Sequence, residues 1–162
     1  MIKESPVLSI LNRHIGHEIT YTDEFEVEKG MIRRFAIAIG DSNPIYFDEE
    51  FARKTIYGGM IAPYTFLFEW NHHRHSVLSP EERRSLFKEL KPQPRFLRGG
   101  NEYEIFRPVR PGDIITSKSR ITEVYEKLGK SGPLIFAVCE NKYYNQKSEI
   151  LGKTKDTYIL IP

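Results

Sequence analysis

A carboxylate, a carboxamide and a phenol fall within six residues of this sequence, as Asp41, Asn43 and Tyr46 in Gly40-Asp41-Ser42-Asn43-Pro44-Ile45-Tyr46. Side chains of these types hydrogen-bond a substrate or move a proton. Each also has a plainer use. Asp41 ahead of Asn43-Pro44 suits an Asx turn that stops a helix, and Tyr46 suits a packed, hydrogen-bonded side chain. As a general base a phenol is poor: with an ordinary pKa of about 10, roughly one in a thousand is ionised at pH 7. Two glycine pairs, Gly58-Gly59 and Gly99-Gly100, serve tight backbone geometry first. The cluster Asn71-His72-His73-Arg74-His75 has a metal-like look, with His72 and His75 on one helix face. No nearby carboxylate or thiolate completes a tetrahedral set, so no metal is expected. Cys139 lies in the apolar run Leu134-Ile135-Phe136-Ala137-Val138-Cys139 and reads as a small buried hydrophobe rather than a nucleophile.

The elements that must hold these residues follow from periodicity. Pro6 with Val7, Leu8, Ile10 and Leu11 predicts a short amphipathic helix with proline in its first turn. Residues 17–28 alternate loosely and predict a strand with a loop near Thr22-Asp23. Apolar positions 31, 32, 35, 36, 38 and 39 predict a helix stopped by Gly40. A short helix from about Asp48 to Lys54 follows Asn43-Pro44. Pro63 stands at the first position of a segment that is apolar nearly all round, from about Pro63 to His73, and this predicts a buried helix. Ser79-Pro80-Glu81-Glu82 has the chemistry of a helix start, and Pro92 and Pro94 end that helix. Segments 101–109, 114–125, 134–144 and 150–160 are β-rich and separated by turns, Pro111-Gly112-Asp113 among them. Helices first and strands last give an α+β class, with an antiparallel sheet wrapping one central buried helix.

Composition narrows the classes. A chain of 162 residues fits one domain, here taken as residues 1–162, and buries roughly 70% of the surface its unfolded form exposes. A net charge of +2 is too small to argue for nucleic acid. The basic stretch Lys88, Lys91, Arg95 and Arg98 reads as a solvated face before a phosphate-contacting rim. One cysteine excludes an internal disulfide and fits a reducing cytoplasm. No apolar stretch approaches the length of a membrane span and the N-terminus lacks a signal-peptide core, so a soluble, cytoplasmic protein with no membrane partner is expected.

The segment Gly40 to Tyr46, with Ala52 six residues on, resembles the G-D-x-N-P-[LIV]-H-x5-[AS] motif of MaoC-like (R)-specific enoyl-thioester hydratases. Met60-Ile61-Ala62-Pro63-Tyr64 stands where that family carries I-[AV]-H-G at the start of its central helix, without a gap from Asp41. Arg107-Pro108-Val109-Arg110-Pro111-Gly112-Asp113 is similar to the family's P-V-x-x-G-D turn. Two departures, Tyr46 for histidine and Pro63-Tyr64 for His-Gly, look like the dehydratase domain resembling fatty-acid-synthase type I. They look most like the non-catalytic subunits of heterodimeric hydroxyacyl-carrier-protein dehydratases, which carry A-P-[LY]-T-F where this chain has Ala62-Pro63-Tyr64-Thr65-Phe66.

The resemblance implies a hot-dog fold and a hydro-lyase chemistry on enoyl or 3-hydroxyacyl thioesters of CoA or carrier protein, with no cofactor. It implies Asp41 as the acid, Asn43 as an orienting group and Tyr46 at the base position. Gly59, Met60, Ile61, Ala62, Pro63 and Tyr64 would contact substrate, with the Tyr64 N–H as oxyanion donor. Gly99 and Gly100 would allow a pantetheine arm close approach. Because Tyr46 replaces the histidine, a His-bearing second hot-dog subunit is the implied partner, as a heterodimer, with a homodimer the simpler assembly. A non-catalytic acyl-thioester-binding or scaffold subunit is the alternative. A thioesterase would need an acidic residue on the central helix, for which Glu69 is the candidate.

Overall fold

Four long strands in the second half of the chain take up one antiparallel sheet, and a short strand from the first half joins its edge. The structure, a computed structural model, describes residues 5–23, 25–70, 81, 84, 88 and 95–161. Helix α1 (Pro6–Asn12) leads into strand β1 (Glu18–Thr22) and helix α2 (Lys29–Ala38). A 3-10 turn (Pro44–Tyr46) and helix α3 (Glu49–Arg53) follow, then helix α4 (Phe66–Trp70) and strands β2 (Arg95–Ile105), β3 (Thr116–Gly129), β4 (Gly132–Tyr144) and β5 (Ile150–Ile161). The strand order is β1-β3-β4-β5-β2, and every pair is antiparallel. Of the helix expected after Ser79, the cap Ser79-Pro80 lies outside the described residues, while Glu81, Arg84 and Lys88 are helical. The histidine cluster at 71–75 also lies outside them.

Three boundaries differ from the sequence-based expectation, each for a local reason. Helix α4 begins at Phe66, three residues after Pro63. Tyr64 and Thr65 form a turn first, in which the Phe66 N–H donates to the Pro63 carbonyl at 2.9 Å and the Phe68 and Glu69 N–H groups both donate to Thr65 at 3.1 Å. Strand β2 starts at Arg95 rather than Asn101, because Gly99-Gly100 is absorbed as a register shift instead of breaking the strand. Strand β1 stops at Thr22, since Asp23 and Val27 leave the ladder to bond the carbonyls of Ile115 and Asp113 at 2.9 and 2.8 Å.

The core has two parts on the sheet. Phe66, Leu67 and Phe68 of α4 are buried with Ile32, Ala36, Tyr46, Ala62, Tyr143 and Leu151. Helix and sheet meet closely at Gly152, where a Cβ would stand 3.1 Å from Leu67 of α4 and 2.9 Å from the Glu104 carbonyl oxygen of neighbouring β2. Only glycine admits that approach. The second part lies under α1, where Val7 and Leu11 cover Ile121, Ile135, Ala137, Cys139 and Leu160.

Cys139 is buried there, and burial, with the Asp156 charge second, pushes its thiol up to about 12. At pH 8 its thiolate fraction should fall roughly a thousandfold below that of a free cysteine with a pKa of about 8.5. We therefore expect Cys139 to resist a disulfide reagent in the native protein and to react stoichiometrically once denaturant unfolds it. Rapid labelling of the native chain would contradict this packing. Among the described residues no helix is long and apolar enough to cross a membrane.

Candidate active site

The loop after α2 is set by a chain of local hydrogen bonds. Gly40, at φ 73°, takes the left-handed conformation that ends helices. The Gly40 N–H donates to Ile37 at 3.1 Å and the Asp41 N–H to Ala36 at 2.9 Å, the paired bonds of a Schellman stop. Asp41 Oδ1 then accepts the Asn43 N–H at 3.0 Å, and Asn43 Oδ1 accepts the Ile45 N–H at 3.1 Å. Two successive Asx turns thus deliver Tyr46 into the core, where it is 8% exposed. Asp48 repeats the device, with Oδ1 accepting from Glu50 and Phe51 at 2.9 and 3.0 Å to cap α3. The turn role of Asp41 is therefore real, and it uses one carboxylate oxygen.

Tyr46 does not stand alone. Burial first, then the nearby Asp41 carboxylate, hold its phenol above the ordinary value of 10.0. The Tyr57 and Tyr64 hydroxyls hydrogen-bond each other at 2.7 Å, and that bond is the main reason the Tyr64 phenol is also raised. Tyr46 and Tyr57 both act electrostatically on Tyr64, so one carboxylate and three phenols share this end of the fold. Raising a phenol's pKa makes it a weaker source of phenolate at neutral pH, so Tyr46 and Tyr64 serve as hydrogen-bonding groups rather than as bases.

The second wall is the segment 57–64, anchored to the turn before β3. The Ala62 N–H donates to the Val109 carbonyl at 2.8 Å. Arg110 Nη2 donates to the Tyr57 carbonyl at 2.7 Å, and its Nη1 would lie 3.8 Å from a Cβ at Gly59. The Arg110 N–H in turn donates to Asp113 Oδ2 at 2.7 Å. Burial outweighs that bond and raises the Asp113 carboxyl. Met60, Ile61, Ala62 and Pro63 are buried, Gly59 is half-buried, and Tyr64 is exposed at its rim. Among the described residues the Tyr64 N–H has no hydrogen-bond partner.

The structure thus brings Asp41, Asn43 and Tyr46 to one loop, close to Tyr57 and Tyr64. Gly99 and Gly100 stand on the edge strand β2, where a Cβ at Gly99 would come within 3.0 Å of Ile159, so sheet packing accounts for that glycine. Tyr57 and Arg110 are contributors the sequence reading missed. Their signals were present: a tyrosine just before Gly58-Gly59, and the one charged residue between Pro108 and Pro111. Among the described residues no group of histidine, cysteine or carboxylate side chains could hold a metal.

A five-stranded antiparallel sheet on a central helix, with an Asp-x-Asn-Pro loop beside the helix start, defines an α+β hot-dog protein of the dehydratase kind. Residues 13–153 match the model of the FAS1-like dehydratase domain region, and the chain belongs to that family. It is 33% identical over 115 residues to a UPF0336 protein of Streptomyces avermitilis, covering 71% of this chain and 73% of the relative. The ChsH1-ChsH2 complex of Mycobacterium tuberculosis shares the fold with a TM-score of 0.77 at 19% identity, over 94% of this chain and 89% of the other. The C-terminally truncated HadBC complex of the same organism, a 3R-hydroxyacyl-ACP dehydratase, gives 0.63 at 19% identity, over 88% and 95%.

Proposed function

We propose that this chain is a subunit of a hydratase or dehydratase acting on enoyl and 3-hydroxyacyl thioesters, holding the acyl group while a His-bearing hot-dog partner supplies the base. The observation that carries this reading is the Asp41-Asn43-Tyr46 loop: its turn geometry is intact, yet the residue at the base position is a buried phenol held above 10. Hydration adds hydroxide at C3 and a proton at C2 of the enoyl group, so one group must take a proton from water while another gives one to carbon. Asp41 would be the group that passes a proton to carbon, and the Asn43 N–H bonded to its Oδ1 orients it. The Tyr64 N–H, without a hydrogen-bond partner among the described residues, suits a thioester oxygen that gains charge in the transition state. The buried stretch Met60 to Pro63 would line the acyl channel. Gly99 is given no pantetheine contact, since Ile159 accounts for it, whereas Gly100, with open space where a Cβ would stand, keeps that role.

Edge strand β2 supports a partner. Among the described residues only β5 pairs with it, and Phe96, Leu97, Tyr103 and Ile105 are exposed along it. Among the described residues its outer side is unpaired, and a strand of 11 residues with four exposed apolar side chains among its charged ones offers another chain an edge to pair with. Both heteromeric relatives in fold, ChsH1-ChsH2 and HadBC, are two-subunit complexes. The raised Tyr46 phenol equally favours the second reading, a subunit that binds acyl thioesters without any chemistry. The thioesterase alternative loses support, since Glu69 is exposed and faces Arg98 at 3.8 Å.

The test is a hydratase assay with a short enoyl-CoA, run on the chain alone and after mixing with a hot-dog chain carrying an intact D-x-N-P-x-H motif. We expect a negligible rate alone and a large rate in the mixture. Tight acyl-CoA binding with no rate in any mixture would select the binding-only reading.

A further inference from the structure

We propose that the helix-covered face of the sheet carries a polar subsite, built on Ser119, Asn141, Thr154 and Asp156, for an acyl chain bearing a hydroxyl group. The proposal rests on the acyl-thioester reading above and specifies the acyl group. In the register, Ser119 stands opposite Asn141, Asn141 opposite Thr154, and Cys139 opposite Asp156. Cross-strand partners share a face, and all four polar residues are buried, at 4, 8, 2 and 6% exposure. Asn141 Nδ2 donates to Thr154 Oγ1 and to Asp156 Oδ2, each at 2.8 Å, and Thr154 Oγ1 donates to Asp156 Oδ2 at 3.0 Å. The Ser119 hydroxyl, on the strand next to this network, is buried and among the described residues has no hydrogen-bond partner.

The core does not need these groups. On one side of them lie Phe68, Tyr143 and Leu151, and on the other Ile121, Cys139 and Leu160 beneath α1. Apolar side chains in the same places would join the two clusters without burying any hydrogen-bonding atom. Buried polar atoms in native proteins are nearly always paired, so an orphan hydroxyl beside a satisfied network marks a position whose partner comes from elsewhere.

Geometry ties that position to the proposed channel. Tyr143 belongs to the same buried cluster as Tyr46 and Ala62, and its ring meets Phe68 of α4 at 5.7 Å. Asn141 is the next residue on that face of β4, about 7 Å beyond Tyr143. A chain that passes the motif loop and runs along β4 reaches the subsite several carbons from its thioester. A hydroxyl there pairs with Ser119 Oγ in either direction, because each can donate and accept. An unsubstituted alkyl chain leaves Ser119 unpaired.

Calorimetric titration of the full chain with saturated acyl-CoAs tests this. The probes are a medium-chain acyl-CoA and the same chain with one hydroxyl at successive mid-chain carbons. One hydroxylated isomer should bind about 3- to 10-fold more tightly than the plain chain, the worth of one neutral hydrogen bond. Ser119→Ala should reduce that ratio to about 1. Because Ser119 has no hydrogen-bond partner to lose among the described residues, the variant should unfold at no lower denaturant concentration than the native chain; the near-isosteric Ser119→Cys repeats the test if it does not. Equal affinity for all isomers, or a preference that survives Ser119→Ala, overturns the subsite while the thioester reading stands. Failure of every acyl-CoA to bind overturns both.

Discussion

Tyr46→His is expected to raise the enoyl-thioester hydration rate of the isolated chain by about 10²- to 10⁴-fold, the usual worth of a positioned general base. The loop supplies everything else the reading asks of it. Asp41 is fixed by the Schellman stop and the Asx turn, and among the described residues the Tyr64 N–H has no hydrogen-bond partner. At position 46 the native phenol is buried beside Asp41, and both conditions favour its neutral form. An imidazole, with an ordinary pKa of about 6.5, is largely neutral at pH 7 and can accept a proton there. Steady-state kinetics on an enoyl-CoA measure the gain. Adding Asp41→Asn to the Tyr46→His chain should abolish it, whereas Tyr46→Phe in the native background should leave the low rate where it is. A rate for Tyr46→His no higher than the native chain's would mean that the loop does not address the reacting carbons.

The largest effect on stability is expected at the start of the central helix. Phe66 is 1% exposed, and its ring meets Phe35 of α2 edge-on at 5.4 Å and 87°. It joins α2, α4 and the sheet in one cluster with Tyr46 and Ala62. Phe66→Ala should cost about 3–5 kcal/mol, through lost transfer free energy and the cavity left behind. That is a large share of the roughly 5–15 kcal/mol typical of a domain. Equilibrium urea unfolding should show the midpoint falling with little change in slope. A cost below about 1 kcal/mol would show that the helix start is not held by this packing.

Much of the fold could be read before any coordinates. Apolar spacing located α2, and Gly40 was recognisable as its stop because the left-handed conformation selects glycine. The four β-rich segments were found because branched and aromatic residues crowd between Gly and Asn turns. What escaped was decided by partners distant in sequence. Gly99-Gly100 precedes the expected strand, yet it sits inside β2, taken up as a register shift, with Ile159 on the next strand filling the space a side chain at Gly99 would take. Pro63 looks like the first helical residue, but its carbonyl accepts from Phe66 and the helix starts later.

The candidate site divides the same way. The turns at Asp41 and Asn43 were legible because their hydrogen bonds are local and their spacing is distinctive. Tyr57 and Arg110 were not, because the bond that makes Arg110 a support for segment 57–64 spans 53 residues. Alternation showed that Ser119, Asn141 and Asp156 lie in strands. It could not show that their face is the buried one, which depends on where α1 and α4 settle.

The most direct measurement is a titration of the catalytic partner. A fixed amount of a hot-dog chain bearing the D-x-N-P-x-H motif is mixed with increasing amounts of this chain, and enoyl-CoA hydration is followed at each ratio. The expected result is a rate that climbs and levels off at one chain per partner, with Asp41→Asn in this chain lowering the plateau less than loss of the partner's histidine does. Robust turnover by this chain without the partner, unchanged by Asp41→Asn, would contradict both the division of labour and the assignment of the site.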